Sequence, residues 1–206
     1  MLNQTVEFVK QFTHNTCEVV YGDTDSIMVK FDGADTVELA AEKASAAADW
    51  ITLQFETMTG TKFIVLEFEK VYHPYLLMRK KRYAGLMYEP DKDGVMHMTK
   101  LDAKGIELVR RDNCALAKGI QKKVLDALMY KRDPELAKEI IAQELKFIVS
   151  NETPIIDYKI SKSRRKDYKN EDLPHLHVCS KMYARQPGSE PQIGDRVPYV
   201  LLHIKN

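Results

Sequence analysis

The chain has 206 residues, 44% apolar and 30% charged, which is typical of a soluble globular protein with one large or two small domains. No apolar run reaches the roughly 20 residues that cross a bilayer, and no signal peptide is recognisable, so we expect no membrane insertion or secretion. The cysteines Cys17, Cys114 and Cys179 lack paired spacing, which favours a reducing compartment over a disulfide framework or a cysteine-rich zinc site.

The net charge of +1 hides an uneven distribution along the chain. Residues 1–77 contain 5 Lys and Arg against 12 Asp and Glu, a balance of −7, whereas residues 78–206 contain 26 against 18, a balance of +8. An acidic part joined to a basic part is typical of a metal centre beside a polyanion-binding surface. A chance unevenness of the surface is the alternative explanation.

Apolar periodicity and turn residues predict a β-rich segment up to about residue 104. In chain order, the predicted elements are the end of a helix over 5–14, a hairpin with arms at 18–21 and 26–31, a helix over 37–55 capped by Asp35 or Thr36, strands over 63–72 and 75–88, a turn at 90–94 and a short strand over 96–98.

Helical periodicity dominates the remainder of the chain. The pattern predicts helices over 106–130, over 134–150 with Pro134 in the first turn, and near 175–185, followed by a strand over 194–204. The fold class predicted from both parts is α+β: an antiparallel sheet with a packed helix, followed by a mostly helical segment.

Two aspartates, Asp23 and Asp25, lie one residue apart at the tip of the predicted hairpin, after Gly22, whose backbone freedom suits a tight turn. Neighbouring carboxylates repel and raise each other's pKa, so we expect a cation beside them. Hard oxygen ligands favour Mg²⁺ or Mn²⁺, and Mg²⁺ usually binds one or two carboxylates together with substrate phosphates. A solvated turn explains this pattern equally well. An EF-hand is excluded because Met28 and Ala34 occupy the positions that require Gly and Glu.

A second acidic element and a cationic run follow. Glu67 and Glu69 alternate with apolar residues, so both would face the same side of the predicted strand and could approach the same metal. Four cations, residues 79–82, then precede Tyr83, and phosphates are natural partners for such a run. For each element taken alone, a solvent-facing surface is the simpler explanation.

Four motifs occur along the chain in the order YGDTDS (21–26), KKRYAG (80–85), KGIELVRRDNC (104–114) and GDRVPYV (194–200). This order resembles that of family B DNA polymerases. The segment LEFEKVYHPYLL (66–77) is also similar to the delta-type members of eukaryotes or their relatives in large DNA viruses.

The resemblance implies roles for individual residues. Asp25 would ligate the metal and contact the nucleotide together with Thr24. Asp23 would be a supporting catalytic acid and metal ligand, and Glu69, with Glu67 as its companion, would be an auxiliary metal ligand. The residues that would hold primer–template DNA are Lys80, Lys81, Arg82, Tyr83, Lys104, Arg110 and Arg111.

The resemblance also implies an architecture and a mechanism. Residues 1–104 would be the end of the polymerase palm and residues 105–206 the thumb. Two Mg²⁺ ions would support nucleotidyl transfer from a dNTP to a primer 3′-hydroxyl during DNA replication. The first palm aspartate motif, the fingers and the exonuclease motifs are absent, so we expect no activity from this chain alone. The implied partners are primer–template DNA, a dNTP and the rest of the polymerase chain, with a sliding clamp and accessory subunits as further candidates, in the nucleus or at a viral replication site.

Other functions stay open on the sequence. The chain could be a piece of an active or split polymerase, or a stand-alone module that binds duplex DNA or a protein after losing catalysis. A nuclease using Asp23 and Asp25 is less favoured because no candidate base is evident. His175, His177 and Cys179 are spaced like metal ligands, although we interpret them as surface and core residues.

Overall fold

The computed structural model describes residues 1–106, 108, 111–150 and 152–202. The chain divides into two compact units, Met1–Ile106 and Glu107–Asn206. Helices are combined with antiparallel strand pairs in three separate sheets within the described residues, as the α+β prediction requires. In these ranges, no helix has the length and apolar character that crossing a bilayer demands. The assignment of palm and thumb to the two units stays a prediction.

The first unit contains two helices and two sheets. Its elements are α1 (Leu2–Phe12), β1 (Cys17–Asp23), β2 (Ser26–Phe31), α2 (Val37–Thr59), β3 (Val71–Arg79), β4 (Arg82–Pro90) and β5 (Met96–Lys104).

Both helices pack against the β1–β2 hairpin. Ala47, Ile51 and Phe55 follow one another at four-residue spacing on α2 and form the buried core with Val9 and Phe31. The Thr36 hydroxyl accepts a hydrogen bond from the Leu39 N–H at 3.2 Å, so the predicted cap of α2 is confirmed. The hairpin is therefore held on a helical support, with its tip, residues 23–26, at the end of the strand ladder.

The cationic run joins two strands instead of lying within one. The single strand predicted over 75–88 is wrong, because β3 and β4 form a hairpin whose turn contains Lys80 and Lys81, with Lys81 at a φ of 62°. A turn places these cations at an exposed tip, where they are hydrated and separated, whereas a continuous strand would hold them against each other.

Three other predicted boundaries also differ from the structure. Residues 61–70 form no strand, and Leu66 instead bonds through both backbone groups to the Thr52 side chain, so Glu67 and Glu69 do not share a strand face. The short strand at 96–98 extends to Lys104 because β4 pairs with it along its whole length. The helix predicted from residue 106 begins only at Ala115.

The second unit combines helices with a small antiparallel strand pair. Its elements are α3 (Ala115–Met129), α4 (Pro134–Val149), a single 3₁₀ turn (Ile155–Tyr158), β6 (Ile160–Ser163), α5 (Pro174–Arg185) and β7 (Arg196–Tyr199). Asp133 caps α4 by accepting from the Leu136 N–H at 2.9 Å, with Pro134 in the first turn as predicted. The predicted final strand is shorter than expected, and its residues 203 and 204 lie outside the described residues.

A buried carboxylate connects the two outer strands of the larger sheet, β3 and β5. Asp102 on β5 is 7% exposed, accepts a hydrogen bond from the Tyr72 hydroxyl of β3 at 2.7 Å and pairs with Lys104 at 3.2 Å. Burial alone would raise the pKa of Asp102, but the Tyr72 hydrogen bond and the Lys104 charge outweigh it and lower the pKa below the ordinary value of 3.8.

A lowered pKa makes this carboxylate a source of stability at neutral pH. The stabilisation is complete above the pKa of the unfolded chain and is lost as pH falls through the lower pKa of the folded chain. We expect Asp102→Asn to lower the free energy of unfolding by about 1–3 kcal/mol at pH 7, with a deficit that shrinks below about pH 4. Urea unfolding followed by fluorescence of Trp50, the single tryptophan, measures this for the first unit. Asp93→Asn, in the exposed 91–94 turn, is the matched control, and an equal effect of both variants would contradict the prediction.

Gly105 lies directly beneath the cationic turn. Its φ is +65°, and a Cβ at this position would overlap the Lys81 carbonyl oxygen, whereas Gly94 has a similar φ of +79° with open space around it. We expect Gly94→Ala to cost about 1–2 kcal/mol from backbone strain alone. Gly105→Ala should cost about 2 kcal/mol more, because the added methyl group must displace the turn. Equal losses in urea unfolding would show that the steric contact is unimportant.

Candidate nucleic-acid and metal site

The tip of the β1–β2 hairpin is a tight turn built by Thr24 rather than by Gly22. Asp23 pairs with Ser26, and Thr24 between them has a φ of 57°, while the Asp25 N–H donates to the Asp23 carbonyl at 2.7 Å. Gly22 lies in β1 opposite Ile27, so the turn assigned to it from the sequence is wrong. Thr24 takes the left-handed conformation because the two-residue connection requires it.

The cation beside Asp23 is Lys81. Its Nζ lies 3.0 Å and 2.8 Å from the two carboxylate oxygens of Asp23. The Thr24 hydroxyl donates to the same carboxylate at 3.2 Å. The hydrogen bond from Lys81 lowers the pKa of Asp23, and the same contact raises the pKa of Lys81. The cation expected beside the aspartates is therefore present at Asp23 as a protein ammonium group, which offsets the neighbouring charge.

Tyr21 connects the same two segments a second time. Its hydroxyl accepts a hydrogen bond from the Lys81 backbone N–H at 3.0 Å and donates one to Asp23 at 3.2 Å. Its ring lies 5.9 Å from that of Tyr83, at the start of β4. The carboxylate hairpin and the cationic turn, which are about sixty residues apart in sequence, are thus fixed to each other through both backbone and side chain.

Asp25 has a different environment from Asp23. Its side chain is exposed, and among the residues that the structure describes its carboxylate has no hydrogen-bond or ion-pair partner. Thr24, the predicted nucleotide contact, is also exposed. The two aspartates therefore differ in what they can bind. The Asp23 carboxylate is already paired with Lys81, whereas no described residue engages the exposed Asp25 carboxylate.

No contact between Glu69 and either Asp23 or Asp25 is present among the described residues. Its carboxylate pairs with Lys70 at 2.7 Å and is 70% exposed, and Glu67 is exposed as well. Lys70 in turn lies 5.9 Å from the centre of the Tyr72 ring. Within the described ranges, no three His, Cys, Asp or Glu side chains form a group that could hold a metal ion.

The predicted DNA-binding residues fall in both units. In the first, Lys80, Lys81, Arg82 and Tyr83 form the β3–β4 turn and the start of β4, and Lys104 lies opposite Tyr83 in the sheet. Tyr83 also contacts Tyr72 and Tyr75, with ring centres 6.0 Å and 5.5 Å apart. Arg111 is exposed in the second unit, and Arg110 lies outside the described residues.

The histidine group in the second unit has ordinary structural contacts. His175 is buried, with its Nε2 3.1 Å from the Tyr168 hydroxyl, and His177 is exposed, with its Nε2 2.7 Å from the Asp172 carboxylate. Cys179 is buried beside them in α5.

Sequence reasoning missed the bridging role of Tyr21, the buried Asp102 and the steric role of Gly105. Each depends on a partner many residues away, which local spacing does not reveal. The only available signals were a tyrosine beside the aspartate pair and a glycine after the lysine that ends β5.

Comparison with known proteins identifies relatives along the whole chain. The model of DNA polymerase family B matches residues 1–206. The DNA polymerase delta catalytic subunit of Candida albicans is 40% identical over 186 residues, which cover 90% of this chain and 17% of the relative. The Drosophila melanogaster subunit of the same name is 41% identical over 188 residues, covering 91% of this chain and 16% of the relative.

A solved structure agrees with the sequence relatives. The family B DNA polymerase from the hyperthermophilic archaeon Pyrobaculum calidifontis matches with a TM-score of 0.56 and 25% identity, covering 98% of this chain and 23% of that one. This chain therefore spans only about a sixth of the length of the curated relatives named above. Because the family model covers every residue, the chain belongs to DNA polymerase family B.

Proposed function

We propose that this chain is a segment of a DNA-directed DNA polymerase and contributes acidic and cationic groups to nucleotidyl transfer onto a primer 3′-hydroxyl. The observation that carries the proposal is the Asp23–Lys81 contact, which fixes an acidic hairpin beside a cationic turn. Transfer of a nucleotide to a polyanion needs both kinds of group in one place, because carboxylates hold metal ions and cations hold phosphates.

The donor chemistry at the hairpin fits Mg²⁺ in part. Asp25 offers hard carboxylate oxygens that no described residue engages, and these would hold the ion. Asp23 would support Asp25 from behind, because the Lys81 ammonium group bonds to both carboxylate oxygens of Asp23. Glu69, with Glu67 near it in the sequence, would ligate the ion only after its ion pair with Lys70 is broken. When bound, two such ions lower the pKa of the attacking hydroxyl and stabilise charge on the departing pyrophosphate.

The remaining ligands would come from outside this chain. Within the described residues no group of three acidic or imidazole ligands forms, so Asp25 alone cannot complete the coordination that Mg²⁺ prefers. We therefore propose that the chain is inactive by itself and acts with the rest of a polymerase in the nucleus, where a sliding clamp and accessory subunits would be further partners.

The cationic turn would hold the duplex near the reacting end. Asp23 and Tyr21 fix the Lys81 ammonium and backbone, so the cation is oriented before DNA binds. The same turn and the adjoining ends of β4 and β5 carry Lys80, Arg82, Tyr83 and Lys104. Arg111 would add a contact from the second unit. Contacts to phosphates recognise duplex geometry independently of sequence, as copying any template requires.

A chimera tests the role of Asp25. We expect residues 1–206, placed in the matching segment of the Candida albicans subunit, to support primer extension with a dNTP and Mg²⁺. Asp25→Asn should lower the extension rate at least about a hundredfold, because it removes a charged ligand where negative charge develops. Asp49→Asn, an exposed carboxylate on α2, is the matched control.

Two outcomes would contradict this role. Equal extension by the Asp25→Asn and Asp49→Asn chimeras would exclude Asp25 from the reaction. A chimera that binds primer–template DNA with unchanged affinity but extends no primer would instead favour a stand-alone DNA-binding module.

Salt dependence tests the cationic turn. The affinity of the isolated chain for a primer–template duplex should fall with salt concentration, and Lys81→Gln should reduce the slope of log K against log salt by about 1, because one phosphate contact is lost. Lys92→Gln, an exposed lysine in the β4–β5 turn, removes the same charge elsewhere in the unit and should change the slope less. Binding that is insensitive to salt, or equally sensitive to both substitutions, would contradict phosphate contact by Lys81.

A further inference from the structure

Three tyrosine rings of the larger sheet form a cluster beside the cationic turn. Tyr72 and Tyr75 belong to β3, and Tyr83 lies at the start of β4. The ring centres are 5.4 Å apart for Tyr72 and Tyr75, 6.0 Å for Tyr72 and Tyr83, and 5.5 Å for Tyr75 and Tyr83. The proposed function assigns a DNA contact to Tyr83. It assigns no role to Tyr72, although this residue has the most varied contacts of the three.

An irregularity in β3 brings two of these rings to one face of the sheet. In a regular strand, residues 72 and 75 would face opposite sides, since side chains alternate. Here Tyr72 pairs with Met87 of β4, whereas Tyr75 pairs with Gly85, so that β3 advances three positions while β4 advances two. This extra residue in β3 allows the rings of Tyr72 and Tyr75 to stack, with an interplanar angle of 28°.

The hydroxyl group of Tyr72 is fixed to β5. It donates to the buried Asp102 carboxylate at 2.7 Å, across the middle strand β4. Burial and the hydrogen bond to this carboxylate raise the pKa of Tyr72 above its ordinary value of 10.0. The hydroxyl therefore stays protonated at neutral pH and remains a donor, which sets the direction of the Tyr72 side chain.

Two further contacts fix the ring of Tyr72. The Lys70 ammonium lies 5.9 Å from the ring centre, within the range of cation–π attraction, and is itself held by Glu69 at 2.7 Å. A Cβ at Gly85 would lie 2.8 Å from Cδ1 of Tyr72 and 3.1 Å from the Pro74 carbonyl oxygen. A side chain at residue 85 would therefore displace the ring, and the glycine leaves the space that the ring occupies.

Contacts continue from Tyr72 to the cationic turn. Tyr72 meets Tyr83 at an interplanar angle of 68°, an edge-to-face geometry that is favourable for aromatic pairs. The ring of Tyr83 lies 5.9 Å from that of Tyr21, whose hydroxyl accepts the hydrogen bond from the Lys81 N–H. A side chain that is fixed at both its hydroxyl and its ring thus supports Tyr83, and Tyr83 in turn packs beside the residue that orients the turn.

We propose that Tyr72 is a positioning residue that holds the ring of Tyr83, and through it the turn at Lys81, in one orientation. Tyr72 acts through Tyr83 and needs no contact with nucleic acid. Its effect on DNA binding rests on the proposed function, in which Tyr83 contacts the duplex, whereas its effect on the turn does not.

Amide hydrogen exchange of the full chain, followed by NMR, tests the effect on the turn without DNA. Tyr72→Leu should raise the exchange rate of the Lys81 amide about tenfold, because its acceptor on Tyr21 becomes mobile. The Asp93 amide, which donates to Asp91 at 2.9 Å in the β4–β5 turn, should keep its rate. Tyr72→Phe retains the ring and should restore most of the protection.

Tyr88→Leu is the matched control for this experiment. It removes an equally large ring from the same sheet, near the opposite end of β4. The exchange rate of the Lys81 amide should stay unchanged in this variant. Equal acceleration by Tyr72→Leu and Tyr88→Leu, or no acceleration by Tyr72→Leu, would overturn the proposal.

A double-mutant cycle on duplex affinity tests whether Tyr72 acts through Tyr83. Tyr72→Leu should weaken binding of a primer–template duplex about fivefold, the magnitude expected for one aromatic pair. Tyr83→Leu should weaken it at least as much. The double variant should bind no more weakly than Tyr83→Leu alone, because the contact through which Tyr72 acts is then already lost. Additive losses would overturn the proposal.

A second variant covers the case in which Tyr72→Leu does not fold, as judged by urea unfolding. Gly85→Ala leaves the Tyr72 hydroxyl and ring in the chain but places a methyl group where the ring lies. It should also accelerate exchange of the Lys81 amide, and an unchanged rate in this variant would overturn the proposal.

Failure of the proposed function has a different signature. If the wild-type chain binds no duplex, or if Tyr83→Leu leaves duplex affinity unchanged, the DNA contact assigned to Tyr83 is wrong. Faster exchange of the Lys81 amide in Tyr72→Leu would still support the positioning of the turn by Tyr72.

Discussion

The contact between Asp23 and Lys81 is the interaction on which the arrangement of the candidate site depends. It joins a hairpin tip and a strand turn that belong to different sheets, and Tyr21 reinforces it through the Lys81 backbone. The Lys81 side chain is largely exposed and that of Asp23 is partly exposed, so the ion pair alone stabilises the fold little. Its importance is geometric. It sets where an ammonium group lies relative to the exposed Asp25 carboxylate, and thereby distinguishes a carboxylate that pairs with a cation from one that no described residue engages.

Charge is organised differently in the two units. In the first, the cations Lys70, Lys81 and Lys104 each have a carboxylate partner. In the second, a pocket that Asp112 and Lys162 also line contains Arg111, Arg165 and Arg196, which have no carboxylate partner among the described residues. Ion pairs therefore fix the positions of these cations in the first unit, whereas no described carboxylate holds these guanidinium groups in the second.

Local sequence signals predicted most of the helices, because caps, prolines and apolar spacing act within a few residues. Thr36 and Pro134 mark helix starts for this reason. The strands were predicted less well. The run at residues 79–82 has strand-like neighbours on both sides, and only the pairing of β3 with β4 shows that it is a turn. Likewise, the aspartate pair indicated a site, but the partner of Asp23 is a lysine 58 residues further along, which no spacing rule identifies. The strand predicted from the alternation at 63–72 is wrong, because the backbone of Leu66 bonds to the Thr52 side chain and not to a neighbouring strand.

The close approach of Gly105 to the Lys81 carbonyl has a consequence for the behaviour of the turn in concentrated electrolyte. An ion pair between solvated groups fades as counterions accumulate, because the Debye length shrinks to about 3 Å in molar salt. The steric contact between Gly105 and the Lys81 carbonyl group does not depend on ionic strength. The peptide plane of Lys81 should therefore keep its direction when its ammonium group has been fully screened, so a loss of nucleic-acid affinity under those conditions would report weakened attraction and not a collapsed loop.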